Sequence, residues 1–167
     1  MGETGIKHVL ADGRSVVIRP VTPQDEPAER LFFTQLSPGT RRLRFHQWSN
    51  VVNDGLVHFY THIDQDRHMA FVCEHDGRIV GDARCVAHPA APSCELGIVV
   101  ADDWHHTGVA QLLMSALIEA ARAHRFSTIE GLVLSDNKDM LDFVKSLGFE
   151  VLQAPEDVAT VRVVKWL

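Results

Sequence analysis

No apolar run in this sequence approaches the roughly 20 residues that a membrane-spanning helix needs, and Met1 to Lys7 carry no apolar signal-peptide core. Both absences lead us to expect a cytoplasmic protein with no membrane partner. A basic excess is missing as well: 16 Lys and Arg stand against 22 Asp and Glu, a net charge of -6 with histidine neutral. A nucleic-acid surface would need a basic stripe, so nucleic acid is not an expected partner, whereas a cationic amine suits an acidic domain. Pro/Gly/Ser-rich linkers, charge blocks and repeats are also lacking. With 46% hydrophobic content, the 167 residues read as one domain, 1–167. Residues 1–14 are expected to be an edge segment or poorly ordered.

Cysteine is scarce, and the three present, Cys73, Cys85 and Cys94, are an odd number without metal-like spacing. Each lies in a strand-like run, so all three are expected to be buried free thiols. Adjacent histidines in a loop point apart, so His105 and His106 beside Asp102 and Asp103 do not make a metal site, and no metal is expected. Tyrosine occurs once, at Tyr60, in a helical region expected to lie far from any site.

What the chain does carry is a pattern of short strands and helices. A strand over 15–20 leads to a helix whose start is marked by Thr22, Pro23 and Asp25, with Leu31, Phe32 and Leu36 as its apolar face. Ser37 caps a further helix through Arg44, and a third helical piece spans 52–61. Strands at 69–74 and 78–86 flank Asp76-Gly77, a strong hairpin signal, and a third strand covers 93–100. A helix over 107–124 repeats Val109, Leu112, Leu113, Ala116, Leu117, Ala120 and Ala121 on one face. A strand 128–134, a helix 138–147 and strands near 149–152 and 158–166 complete an α+β domain.

The most informative stretch is Glu95 to Val100 running into Trp104-His105-His106-Thr107-Gly108-Val109-Ala110, a strand that delivers backbone amides to a helix start. Gly108 and Ala110 let backbone approach a ligand closely, as pyrophosphate binding at a helix N-terminus requires. Alone, a Gly-x-Ala turn also serves simple packing. Together with Asn137-x-x-Met140 and Leu147-Gly148-Phe149 after another apolar strand, this order resembles the Gcn5-related N-acetyltransferase (GNAT) superfamily. The N-terminal half, with Ile18-Arg19-Pro20, Thr22 to Pro27, Leu36-Ser37-Pro38 and Arg41 to Phe45, is similar to bacterial Pat-type protein lysine acetyltransferases. Those domains often sit beside a regulatory module, which is not seen in this sequence.

The resemblance implies a GNAT fold, a mixed and mostly antiparallel sheet of six to seven strands with about four helices. Two strands, those ending at Val100 and Leu134, would splay apart to bind acetyl-CoA. Ile98 and Val100 would bond the pantetheine arm. His105, His106, Thr107, Gly108, Val109 and Ala110 would hold the pyrophosphate, with histidine in place of the usual Gln or Arg. The amide of Val99 or Ile98 would polarise the thioester. Asn137 would touch pantetheine or cap its helix, and Phe143 would reach the CoA arm from an otherwise core face.

Glu95 is the expected general base, its proton affinity raised by partial burial, against the reading of an ordinary strand carboxylate. Many family members carry Tyr four residues before the Gly-Phe glycine. Here that position is Val144, which leaves thiolate protonation to water or substrate. Arg41, Arg42 and Arg44 are expected on a solvated helix face rather than on a phosphate or an acidic substrate. The implied reaction is acetyl transfer from acetyl-CoA to a primary amine, a protein lysine in preference to a small molecule. A non-catalytic CoA-binding module is the alternative from another class. A homodimer is one assembly the resemblance allows.

Overall fold

The computed structural model describes residues 5–45, 53–153 and 159–167. Its elements, in chain order, are β1 (Ile6–Val9), β2 (Ser15–Pro20), α1 (Glu26–Gln35), α2 (Pro38–Phe45), α3 (Asp54–Thr61), β3 (His68–His75), β4 (Arg78–Ala87), β5 (Ser93–Val100), α4 (Val109–Ala123), β6 (Thr128–Leu134), α5 (Lys138–Ser146), β7 (Glu150–Gln153) and β8 (Thr160–Trp166). Val52 and Val158, expected to open α3 and the last strand, lie outside the described residues.

The strands form one sheet in the order β1-β2-β3-β4-β5-β6-β8-β7. Every neighbouring pair is antiparallel except β5 with β6. At the β3–β4 turn, Asp76 and Gly77 take φ of 49° and 77°, which suits a two-residue turn to the twist of the strands. Alternation along each strand divides the core in two. One face of β3, β4 and β5, with Met69, Cys73, Ala83, Ile98 and Val100, packs on Leu113 and Leu117 of α4. The other face, with Val72, Ile79 and Val99, packs on Phe32 and Phe33 of α1 and Tyr60 of α3.

Among the described residues the sheet has eight strands and there are five α-helices, against the six to seven and about four expected, and β1 pairs along β2 as the edge segment foreseen for residues 1–14. Two expectations need correction. Leu31 is exposed and Phe33 is buried in its place, since α1 turns Phe32, Phe33 and Leu36 toward the sheet. Cys85 and Cys94 form a disulfide; Cys73 is a buried free thiol as expected. The β4–β5 register pairs Cys85 with Leu96 and Ala87 with Cys94, so the two cysteines stand diagonally on one face with Cα atoms 5.5 Å apart.

Candidate active site

β5 and β6 pair over only three residues: Ser93 with Thr128, Cys94 with Ile129 and Glu95 with Glu130. Beyond Glu95 they separate, β5 staying on β4 and β6 staying on β8. The Ala101 amide bonds the Val80 carbonyl, which sets the phase of the β4–β5 ladder. Alternation then turns the backbone of Gly97 and Val99 toward β4 and that of Leu96, Ile98 and Val100 toward the gap. Of the two amides considered for thioester polarisation, only that of Ile98 therefore faces the opening.

At the far end of β5 a short 3-10 turn, Asp102–Trp104, leads through His105 and His106 to Gly108, where φ is 97°, and α4 begins at Val109. His106 is also left-handed, with φ of 59°. The first amides of α4 have no intrahelical partner and sit at the positive end of the helix dipole. Side chains fold away from this spot: Thr107 Oγ1 donates to the Trp104 carbonyl at 2.6 Å, and His105 Nε2 donates to the Val100 carbonyl at 2.8 Å. Thus the His105 ring grips β5 rather than projecting freely. His106 Nε2 lies 3.8 Å from Asp139 Oδ2 of α5.

A cleft of about 470 Å³ runs between this loop, β5 and α5. It gathers Ile98, Val99, Val100, His105, His106, Thr107, Gly108, Ala110, Asn137 and Phe143. Val109 is the exception: its side chain is fully buried under the loop, so only its backbone can face a ligand. A forked strand pair thus ends at an amide-rich helix start, and a model of the "Acetyltransferase (GNAT) family" matches residues 35–149. The chain belongs to that family. It is an acyl-CoA-dependent N-acyltransferase, with acetyl-CoA as co-substrate.

Among GNAT relatives, the Pseudomonas aeruginosa "Acetyltransferase PA5475" is 35% identical over 156 residues, covering 91% of this chain and 84% of that one. The GNAT domain of S. lividans PAT superposes with a TM-score of 0.90 at 23% identity, covering 98% and 97% of the two chains. The "cAMP-binding acyltransferase" of Mycobacterium smegmatis gives 0.66 at 26% identity; 96% of this chain covers 47% of that one.

A second cleft of about 250 Å³ continues past the fork, lined by Glu95, Gly97, Gly131, Asn137 and Arg44. Glu95 is exposed there rather than partly buried, because it is the last paired residue before β6 turns away. Cys94 points to the opposite, buried face, as strand alternation requires. Asn137 caps α5, its side chain accepting from the Met140 amide at 3.3 Å, and it also lines both clefts. Val144 is fully buried, so apolar core fills the place of the family's tyrosine.

One side chain reaches the site against expectation. Arg44 lines both clefts instead of a solvated face. Its Nη2 donates to the Tyr60 hydroxyl at 3.3 Å, so the single tyrosine, buried in the core, stands behind the site. α2 is held there by Asp102, whose carboxylate accepts from the Ser37 amide and hydroxyl, each at 3.0 Å, and from the Thr40 hydroxyl. No sequence spacing links residues 37, 40 and 102; only the polar types hint at a cap.

Behind this wall lies a buried ionic cluster. Arg84 donates Nε to Asp82 Oδ1 at 2.8 Å and Nη2 to Asp82 Oδ2, and Nη1 donates to the Tyr60 carbonyl and to His68 Nε2, each at 3.0 Å. Burial pushes the Asp82 pKa up, but the Arg84 charge and hydrogen bonds outweigh it and hold the carboxyl below its ordinary value. Glu29 is raised well above the ordinary range by burial and then by the Asp82 charge. The cluster sits on β4, the strand paired with β5.

Proposed function

We propose that this enzyme acetylates a primary amine, a protein lysine side chain in preference to a small molecule, by direct attack with Glu95 as general base. The observation that carries this reading is the fork itself: a three-residue parallel pair, Glu95 at its last rung, and the amides of α4 at its far end. The pantetheine arm would lie along β5 as an added strand, bonding the backbone of Ile98 and Val100. Because His105 already donates to the Val100 carbonyl, Val100 would offer chiefly its amide. The residues from His105 to Ala110 would hold the pyrophosphate, through the amides of Val109 and Ala110 above all.

Acetyl transfer then needs positioning, proton removal from the ammonium, and polarisation of the carbonyl by the Ile98 amide. Attack of the amine forms the N–C bond, the C–S bond breaks, and water protonates the thiolate, since Val144 offers no hydroxyl. Asn137 and Phe143 would line the pantetheine path. Support for a macromolecular acceptor comes from the exposure of Glu95 at an open mouth, which a long flexible side chain can enter without an enclosing pocket. The similarity of the N-terminal half to Pat-type domains points the same way.

Calorimetric titration with acetyl-CoA, paired with Glu95→Gln, tests the reading. The variant is expected to bind acetyl-CoA as the parent does and to lose turnover by roughly 10²–10⁴-fold. Unchanged turnover removes Glu95 from the mechanism. Binding without turnover in the parent, across lysine peptides and small amines, would favour a CoA-binding module instead.

A further inference from the structure

α1 and α3 lie side by side on the sheet face opposite α4. They meet through Phe33 against Tyr60, with ring centroids 5.6 Å apart, and through an ion pair between Arg30 and Asp54. At the rim of this contact stand three groups of another kind. His58 and His62 are one turn apart on α3 and its cap, with rings 3.8 Å apart and nearly parallel. Glu26, the first residue of α1, brings a carboxylate to them, and one donor atom from each of the three lies within 4.8 Å of the other two. Among the described residues, no other group of His, Cys, Asp and Glu side chains meets this spacing.

The hydrogen bonds around His62 orient it as a ligand. Its Nδ1 lies 3.2 Å from the His58 carbonyl and 3.1 Å from Thr61 Oγ1. The Thr61 hydroxyl itself donates to the Val57 carbonyl at 2.9 Å. Both neighbours of Nδ1 therefore accept, the proton sits on Nδ1, and Nε2 keeps its lone pair. That is the arrangement in which a backbone carbonyl fixes the tautomer of a metal-binding imidazole.

We propose that Glu26, His58 and His62 bind a divalent transition ion of the zinc class, with a fourth position open to water. Two imidazole nitrogens and one carboxylate oxygen suit Zn²⁺, whereas Mg²⁺ and Ca²⁺ favour all-oxygen shells. Tetrahedral zinc places its donor atoms about 3.4 Å apart, and imidazole lone pairs lie in the ring planes, so His58 and His62 turn out of their stack, free to do so at the surface, to close on an ion with Glu26. The ion ties the first turn of α1 to the end of α3. Tyr60, on α3, lies with its ring 3.9 Å from the Arg84 guanidinium and accepts from Arg44, so the clamp steadies the wall of the second cleft without touching the reacting atoms.

The test uses tag-free protein stripped with chelator, titrated with ZnCl₂ by calorimetry and with Co²⁺ by visible spectroscopy. One ion per chain, the absorption of tetrahedral cobalt, and a Tm raised by zinc and restored by EDTA are expected. His58→Gln, His62→Gln and Glu26→Gln should each weaken binding at least tenfold, while His124→Gln should not. In the unsubstituted chain, imidazole ¹⁵N shifts give the assignment even if a variant misfolds: of the ten histidines, His58 and His62 should move with one equivalent of zinc. No binding, or many weak equivalents spread over surface histidines, overturns the proposal. So does stoichiometric binding that leaves His58 and His62 unmoved.

Discussion

The guanidinium of Arg44 rests on Gly97: a Cβ built at Gly97 would lie 2.3 Å from Nη2 and 2.5 Å from Cζ. A helix with no sequence tie to β5 thus drops a cation onto the strand two residues past Glu95, and the missing side chain at 97 makes the approach possible. What a methyl group would displace is the far end of a flexible side chain. Gly97→Ala is therefore expected to stay within about 1 kcal/mol of the parent in urea unfolding. Because Arg44 lines both clefts, the acceptor KM and the acetyl-CoA affinity should both shift severalfold. A loss above about 3 kcal/mol would mean that backbone, not Arg44, meets the methyl.

Gly108 presents the opposite case, because no atom lies within 4 Å of its would-be Cβ, yet its φ of 97° is left-handed. Only backbone strain opposes substitution there. Gly108→Ala should cost about 1–2 kcal/mol of stability and, by tilting the start of α4, weaken acetyl-CoA binding roughly tenfold. Gly108→Asn should cost less, since Asn tolerates this region. Equal calorimetric affinity for all three proteins would mean that the helix start does not hold the phosphates.

His68 supplies a pH dependence. Its Nε2 accepts from Arg84, and burial, followed by the Arg84 charge, pushes its pKa down from 6.5 to about 4. Between these values the folded state binds fewer protons than the unfolded state, so this contribution is complete above about 6.5 and is lost as pH falls toward 4. Asp82, held low, adds a loss at still lower pH. Glu29, held high, acts oppositely, its contribution being present in acid and lost as pH rises. Because Glu29 opposes His68 in an overlapping range, the readout is the difference: in urea unfolding the stability of the parent relative to His68→Gln, whose amide oxygen can still accept from Arg84, should fall from pH 6.5 to 4. Parallel curves would exclude His68 as its source.

The Cys85–Cys94 bond closes a short loop, nine residues in sequence separation. On the chain-entropy account such a loop contributes about 2–3 kcal/mol, so reductant should lower the unfolding free energy by that amount. Thiol titration gives an independent check. Unfolded, unreduced protein should show one thiol, Cys73, and reduced protein three. In the native state Cys73 should stay silent, because burial pushes its pKa up to about 12.

Much of this architecture was legible because it is written in local patterns. Asp76-Gly77 between alternating runs specifies a hairpin, and the one-face spacing from Val109 to Ala121 specifies α4. Both depend on neighbours in the chain, where periodicity and turn chemistry act. Even the fork was anticipated, since the family resemblance carried the order of strands with it.

Tertiary structure alone decided the pairings between distant segments. The register of β4 on β5 brought Cys85 to Cys94, which no spacing announced. The ladder phase turned Ile98, and not Val99, toward the gap. Packing of α2 and α3 against the sheet brought Arg44 from an expected solvated face into the wall of the cleft, with Tyr60 behind it, and set Glu26 beside His58 and His62. Such contacts join residues tens of positions apart, so they are chosen by how whole faces bury together, and a local pattern holds no record of them.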